Sequence, residues 1–356
     1  MDSQNSNLVE FGDSSTSSFV FLKTDVAIVG AGVAGLYSAY CCGMANIDCV
    51  LIESLVIPGG QCTALYPEKQ MYGTPGFDGI KAKDYIKKLS DQCLSQVGHR
   101  LFGYQVKNIS KNESNEFELT VKQICQSSCA ISDVKGEDVR ITAKYIILAT
   151  GIGDMKPNIP PTIKGLDKIS KDSDFIQFYC MNLTLYRDKD IIIAGGGDSA
   201  IDFAIDISSV AKSVTIIHRR AQFSCEPSKL KNISMLVDSG KLQLVLEHNI
   251  IELCEDSGKR IVKTIDKDSK EHGFETNHIV FCYGFAASIG SLANDLGLKM
   301  EKNLLAIDID SMETSVENCY AAGDIVTYAN KKKNVVPCLF EADRAVRSIK
   351  TKISRR

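Results

Sequence analysis

The sequence has no tryptophan, only 8 prolines among 356 residues, and no large excess of charge of either sign. With 41 basic and 44 acidic residues the formal net charge is -3, which gives no basic field for nucleic acid, so we predict no nucleic-acid partner. A low proline count beside 26 glycines excludes collagen-like and low-complexity chains. The hydrophobic fraction of 44% favours a soluble globular protein, and the length favours two domains.

The sequence also lacks any Cys-x-x-Cys pair, although it contains 13 cysteines. This absence excludes zinc ribbons and the usual dithiol redox motif, and we predict no metal site. The count is odd, and residues 1–18 have neither the basic start nor the apolar run of a signal peptide. We therefore expect reduced, mostly buried thiols and a cytoplasmic location.

One uncharged stretch, from Val26 to Ile47, is long enough to be mistaken for a membrane span. Four glycines interrupt it, and its first half is typical of a buried strand. We interpret it as strand, turn and helix, and we predict no membrane partner.

The same strand–turn–helix pattern occurs twice in the chain. Sheet-like segments resume near the C-terminus, so the second unit is predicted to be inserted into the first. The fold class is therefore α/β, with two Rossmann-like dinucleotide-binding domains. The predicted organisation is a flexible leader over 1–22, a first domain over 23–151 and 284–356, and a second domain over 152–283.

The first glycine-rich turn is Gly30-x-Gly32-x-x-Gly35, which follows a buried strand and opens a predicted helix. In such a turn Gly30 bends the chain, Gly32 lets a pyrophosphate approach the backbone, and Gly35 lets helix and strand pack closely. Glu53 lies 23 residues after Gly30, at the end of the next strand, where a carboxylate can accept hydrogen bonds from ribose hydroxyls. The turn therefore predicts a dinucleotide site with an acidic ribose partner.

The second turn has the opposite chemistry at the matching position. It runs through Gly195, Gly197, Asp198 and Ser199. Counting 23 residues on from Gly195 reaches His218, followed by Arg219 and Arg220. Guanidinium groups can hold a 2′-phosphate that a carboxylate would repel, so this site is predicted to prefer NADP(H). The alternative is that the two arginines are only a solvated strand end.

Two nucleotide sites of opposite character indicate two different nucleotides. We predict FAD at the acidic site and NADP(H) at the basic one, with hydride passing from nicotinamide C4 to flavin N5.

The order of these motifs, with Gly59-Gly60-Gln61 and Gly323-Asp324, resembles the low-molecular-weight thioredoxin reductases. That family carries a Cys-x-x-Cys before the second turn, whereas here Cys180 is followed at 183 by Leu. Dithiol exchange needs two sulfurs, so the resemblance to the thioredoxin-reductase-like ferredoxin–NADP reductases is better. The string Ala-Leu-Tyr-Pro-Glu-Lys that ends at residue 69 is specific to that group.

The resemblance covers about residues 23–350 and implies domains of the pyridine nucleotide–disulfide reductase type, with the NADP domain inserted in the FAD domain. It implies a homodimer and electron exchange between NADP(H) and a ferredoxin or flavodoxin, with one-electron steps after the hydride transfer. Tyr66, the one predicted catalytic residue, would lie against one face of the isoalloxazine ring. The other residues carried over from the family's FAD site are Glu53 at the ribose, Gly60 and Gln61 in the loop along the cofactor, Val106 at the adenine, Met155 in place of the usual Phe, and Asp324 near the ribityl–phosphate region.

Two questions are left open by the resemblance. Family members carry a C-terminal extension that covers the second flavin face, and this sequence ends at Arg356, near the end of the last predicted helix. The acceptor's docking face is expected to be basic, with candidates at 331–333, 350–356 and 81–88. The alternative functions are a disulfide or peroxide reductase without the usual dithiol, and a non-catalytic sensor that binds flavin and NADPH.

Overall fold

The computed structural model describes residues 8–9, 19–124, 132–134, 138–153, 156–166, 175–178, 183–225, 227–286 and 292–355. The chain divides into two compact units. The first unit comprises Met1–Ala64, Gln70–Met155 and Ala287–Arg356, and the second comprises Leu65–Lys69 and Lys156–Ala286. The predicted α/β class with one unit inserted in the other is confirmed.

The first unit is built on a mixed sheet whose central strand is Phe19–Val29. This strand pairs in parallel with Cys49–Glu53 on one side and with Asp138–Leu148 on the other. Val26, Ala27 and Ile28 are fully buried, as expected of a parallel strand covered on both faces. The remaining strands of this sheet are Leu8–Val9, His99–Phe102, Tyr104–Lys111, Phe117–Gln123 and Cys319–Ala321.

Helices flank this sheet, and their apolar stripes face inward. Ala82–Cys93 buries Tyr85, Ile86 and Leu89 and turns its lysines outward, a period typical of an amphipathic helix. The other helices of the unit are Val33–Met44, Gln61–Ala64, Leu292–Asp295 and Val335–Ser354, with a 3-10 turn at Leu94–Gln96. Short strands lie at Gln70–Met71, Ile80–Lys81, Met300–Glu301, Leu304–Ala306 and Val326–Thr327.

The second unit has a five-stranded parallel sheet centred on Asp190–Ala194. In spatial order its strands are Ile176–Gln177, His278–Phe281, Asp190–Ala194, Ser213–His218 and Leu242–Leu246. Helices lie at Asp198–Ser208 and Pro227–Asp238, and a 3-10 turn at Leu183–Tyr186. A separate antiparallel sheet, called here the three-stranded sheet, comprises Asn249–Asp256, Lys259–Ile265 and Glu271–Glu275. Lys156–Pro157 pairs with Phe285–Ala286.

One element boundary differs from the sequence-based expectation, because the central strand begins at Phe19, inside the segment predicted as leader. Asp138–Leu148 is one continuous strand, in which Lys144 points outward to Asp25 at 2.8 Å. Helix Asp198–Ser208 begins directly after its N-cap glycine. Within the described ranges, no helix is both long and apolar enough to cross a bilayer.

Candidate functional site

The first glycine turn is a tight corner that tolerates side chains at only one of its three glycines. Gly30 has φ +104°, and a Cβ there would lie 2.5 Å from the carbonyl oxygen of Ala149. A Cβ at Gly35 would lie 1.7 Å from the oxygen of Gly30, so the helix packs directly on the turn. A Cβ at Gly32 would meet no atom within 4 Å. The open space therefore lies at the glycine assigned to pyrophosphate.

Gly32 is also the N-cap of helix Val33–Met44, and no side chain caps that helix end. The first N–H groups of a helix have no partner within it, and they attract anions. No acidic residue lies in the first turn to compete for them. Open space beside these donors fits the phosphates of a bound dinucleotide.

Glu53 is tied to this turn by its carboxylate. Its Oε2 accepts the backbone N–H of Ala31 at 2.6 Å, and its Oε1 accepts the N–H of Leu55 at 2.9 Å. Burial raises the pKa of this carboxyl, and the backbone donors partly offset that rise. Oε1 also accepts the hydroxyl of Ser54 at 3.1 Å, so Oε2 is the oxygen with a further lone pair for a hydrogen bond from a ribose.

The loop after Glu53 returns to the same turn. The N–H of Gly59 donates to the oxygen of Ala31 at 2.8 Å, and a Cβ at Gly60 would lie 3.2 Å from the Cα of Gly32. Gln61 then donates from Nε2 to Oδ2 of Asp324 at 3.0 Å, across a separation of 263 residues. The structure therefore brings Gly60, Gln61 and Asp324 to one edge of the first unit.

Sequence reasoning missed Glu341, which holds the turn before Asp324. Its carboxylate is fully buried and accepts the N–H of Gly323 at 2.7 Å and the hydroxyl of Tyr328 at 2.6 Å. Lys331 forms an ion pair with it and is only 6% exposed. Lys331 is therefore not part of an exposed basic patch, which corrects that expectation. The signal was available, because Glu341 is the one acid in the buried stripe of helix Val335–Ser354 as the structure describes it.

The second glycine turn repeats the pattern of the first. Gly195 has φ +147°, and a Cβ there would lie 2.7 Å from the oxygen of Cys282. A Cβ at Gly197 would meet nothing within 4 Å. Gly197 is the N-cap of helix Asp198–Ser208, again without a side-chain cap. Open space therefore lies beside the start of a helix here as well, although Asp198 stands in its first turn, and this turn also fits a dinucleotide phosphate.

His218 and the two arginines that follow it have different surroundings. The His218 ring is buried under Gly196, where a Cβ would lie 2.5 Å from the ring, and it stacks on Phe223 with centroids 5.6 Å apart. Burial lowers the pKa of His218, so its ring is neutral at pH 7. Arg219 and Arg220 are exposed at the strand end. The positive charge beside this turn therefore belongs to the arginines.

Asp198 and Ser199 form the exposed first turn of the second helix. Lys229 pairs with Asp198 at 2.9 Å and with Asp202 at 2.8 Å, and Lys69 pairs with Asp202 at 2.6 Å. This chain of charges ties the Leu65–Lys69 segment to the helix within the second unit.

Tyr66 belongs to that segment. Its ring is half-buried against the hydrophobic cluster of the second unit, with the Lys69 ammonium 5.4 Å from its centroid. Val106 is buried in strand Tyr104–Lys111 beside a bulge. Met155 and Cys180 lie outside the described residues.

Ten cysteines lie in the described part of the chain, none of them in a disulfide and six of them buried. Burial raises the pKa of Cys41, Cys93 and Cys338 to about 12, so these thiols are not nucleophiles at neutral pH.

Comparison with known proteins gives a consistent family. A model of the pyridine nucleotide-disulphide oxidoreductases matches residues 24–347. The ferredoxin–NADP reductase of Wolbachia pipientis wMel is 35% identical over 322 residues, covering 88% of each chain. That of Paramagnetospirillum magneticum is 33% identical over 329 residues, covering 92% of each chain.

Solved structures agree at the level of the fold. Thioredoxin reductase of T. acidophilum superposes with a TM-score of 0.78 at 21% identity, over 93% of this chain and 99% of that one. The bacillithiol disulfide reductase of Bacillus cereus gives 0.76 at 18% identity, over 93% and 99%.

Proposed function

Because the chain belongs to the pyridine nucleotide-disulphide oxidoreductase family, in its group of thioredoxin-reductase-like ferredoxin–NADP reductases, we propose that it exchanges electrons between NADP(H) and a ferredoxin or flavodoxin. This membership confirms the family resemblance predicted from the sequence. The observation that carries the proposal is the opposite charge at the two glycine turns. Glu53 is bonded to the first turn, whereas Arg219 and Arg220 are exposed beside the second.

The first turn is assigned to FAD. Its phosphates would lie against Gly32 and the helix N-terminus, and Glu53 would accept hydrogen bonds from the ribose. Asp324, positioned by Gln61 and the turn at Gly323, would reach the ribityl–phosphate region. Bound at this turn, FAD would supply the redox chemistry that links a two-electron hydride donor to a one-electron acceptor.

The second turn is assigned to NADP(H). Gly197 leaves space for the pyrophosphate, and the exposed guanidinium groups of Arg219 and Arg220 would hold the 2′-phosphate. We assign His218 a packing role under Gly196 in place of phosphate binding, because its buried ring is neutral.

Tyr66 is proposed to contact the flavin, from the family resemblance. In this structure its segment packs with the second unit through Lys69 and Asp202. Tyr66→Phe keeps the ring and Tyr66→Ala removes it, so a flavin absorbance change in the alanine variant alone would support the contact. A wild-type flavin absorbance spectrum in both variants would rule out the contact.

The acceptor is proposed to dock on exposed lysines of helix Ala82–Cys93, where Lys87 and Lys88 lie on the solvent side. Acidic partners are attracted by such a face, and salt screens the attraction. The homodimer and the cytoplasmic location stay predictions, and sedimentation of the purified protein tests the first of them.

The alternative of a dithiol reductase is disfavoured by Leu183, which stands where a second cysteine would be needed. The alternative of a sensor predicts nucleotide binding without transfer to any acceptor. An anaerobic titration with NADPH, followed by addition of ferredoxins and flavodoxins, separates these functions. We expect NADPH to bleach the flavin and one of these proteins to accelerate its reoxidation.

The matched variant for this test is Arg219→Ala with Arg220→Ala. This double variant should raise the dissociation constant of NADPH by about tenfold or more and leave that of NADH little changed, because only NADPH has a 2′-phosphate. Equal loss for the two nucleotides would mean that the phosphate lies elsewhere. Bleaching by NADPH without accelerated reoxidation by any acceptor would refute the proposed activity in favour of the sensor.

A further inference from the structure

The three-stranded sheet of the second unit carries three potential metal ligands at one end. A ring nitrogen of His248, a ring nitrogen of His272 and a carboxylate oxygen of Asp266 all lie within 4.8 Å of one another. His248 and Asp266 are half-buried, whereas the side chain of His272 is 40% exposed. None of them belongs to the nucleotide sites described above, and the sequence predicted no metal site here.

Strand register explains why these residues meet. Thr264 lies opposite His272, and Ile265 lies opposite Asn249. Asp266 follows Ile265 and His248 precedes Asn249, so these two side chains come opposite each other at the strand ends. Because side chains alternate along a strand, Thr264 and Asp266 share one face, and their cross-strand neighbours share it with them.

The side chains are also held in place. Oγ1 of Thr264, which is fully buried, lies 2.9 Å from Nδ1 of His248 and orients that ring. The two histidine rings have centroids 4.9 Å apart. Oδ1 of Asp266 accepts the backbone N–H of Asp268 and of Lys270, both at 2.9 Å. Such hydrogen bonds from outside the ligand set are what orient ligands at metal sites.

We propose that His248, Asp266 and His272 bind one divalent transition metal ion, with zinc as the ion of best fit. Two imidazoles and one carboxylate are a ligand set that zinc uses with an open fourth position. Zinc bonds of about 2.1 Å in a tetrahedron place ligand atoms about 3.4 Å apart, so small side-chain shifts would close the site.

One contact has to change on binding. Nε2 of His272 lies 2.7 Å from Oδ2 of Asp266, so these two groups hydrogen-bond to each other. A metal ion bound by both side chains would take the place of this hydrogen bond.

Calorimetric titration of the metal-stripped holoenzyme with Zn²⁺ near neutral pH tests the proposal. We expect one zinc per chain, with affinity lowered at least tenfold in His272→Gln and in Asp266→Asn, since even residues outside the ligand set contribute about 10–100-fold. The matched controls are His99→Gln in the first unit and Asp268→Asn in the same turn, which should bind as wild type. Co²⁺ in place of zinc should give the visible bands of low-coordinate nitrogen and oxygen ligation.

If cysteine thiolates held the zinc, both ligand variants would still bind it with wild-type affinity, and that result would overturn the proposal. Less than one zinc per chain, or equal affinity in Asp266→Asn and Asp268→Asn, would overturn it as well. NADPH oxidation is measured separately, so failure of the metal site leaves the proposed reductase activity untouched.

Discussion

The space beside Gly197 is open, so an added methyl group there can affect nucleotide binding without affecting the stability of the protein. At Gly197→Ala the backbone needs no change, because φ −92° and ψ −179° are extended values that alanine adopts. The added Cβ would meet no protein atom within 4 Å. Alanine gains about 0.4–1 kcal/mol from a less flexible unfolded chain and loses about as much as a poor N-cap. The free energy of unfolding should therefore change by less than about 1 kcal/mol.

The bound nucleotide would feel the same methyl group directly. Extra bulk in a close-packed contact costs about 1–3 kcal/mol, which corresponds to a dissociation constant about 5- to 150-fold higher. The binding of NADPH and the binding of NADH should be weakened equally, because both nucleotides contain the pyrophosphate. The arginine variants, in contrast, should discriminate between them.

Anaerobic titration of the holoenzyme measures the affinity for each nucleotide. Flavin absorbance and thermal unfolding show that the rest of the protein is intact. Gly196→Ala is the matched control, since its Cβ would lie 2.5 Å from the His218 ring and should lower stability itself. Wild-type nucleotide affinity in Gly197→Ala would refute the assignment of this turn to pyrophosphate.

Three further outcomes follow from the buried contacts. Glu341→Gln should lower the free energy of unfolding by about 3–5 kcal/mol, because it leaves the buried Lys331 ammonium without its counter-charge. Adding Lys331→Met should restore part of that loss, and denaturant unfolding measures both variants. Gly35→Ala should lower the melting temperature by several degrees even without cofactor, whereas Gly32→Ala should lower FAD content in a stable protein. Burial lowers the pKa of His218 in the folded chain below its ordinary value of 6.5, so the unfolded chain takes up the proton more readily. The free energy of unfolding should therefore fall as the pH drops through 6.5, and it should fall less in His218→Phe. Denaturant unfolding at several pH values measures both effects.

The proximity of Glu53 to the first glycine turn could be predicted from spacing alone. Gly30, Gly32 and Glu53 lie within one strand–turn–helix–strand segment, and local rules fix the relation between such neighbours. The same count from Gly195 located the arginines. These predictions depended on short-range geometry, which the order of residues encodes directly.

Contacts between distant segments were not accessible in this way. Nothing in the spacing of Gln61 and Asp324 indicates that they hydrogen-bond across 263 residues, and nothing separates Lys331 from its neighbouring lysines. The neutral state of His218 likewise depends on what covers it.

The sequence by itself determined the two glycine turns, the opposite charges that follow them and the α/β class, because strand and helix periodicity and turn chemistry are local properties. Only the tertiary structure decided which polar groups lose their water. Burial is set by packing between segments far apart in the chain, and it turned Glu341 into a structural anchor, left His218 neutral and brought His248 beside Asp266 and His272.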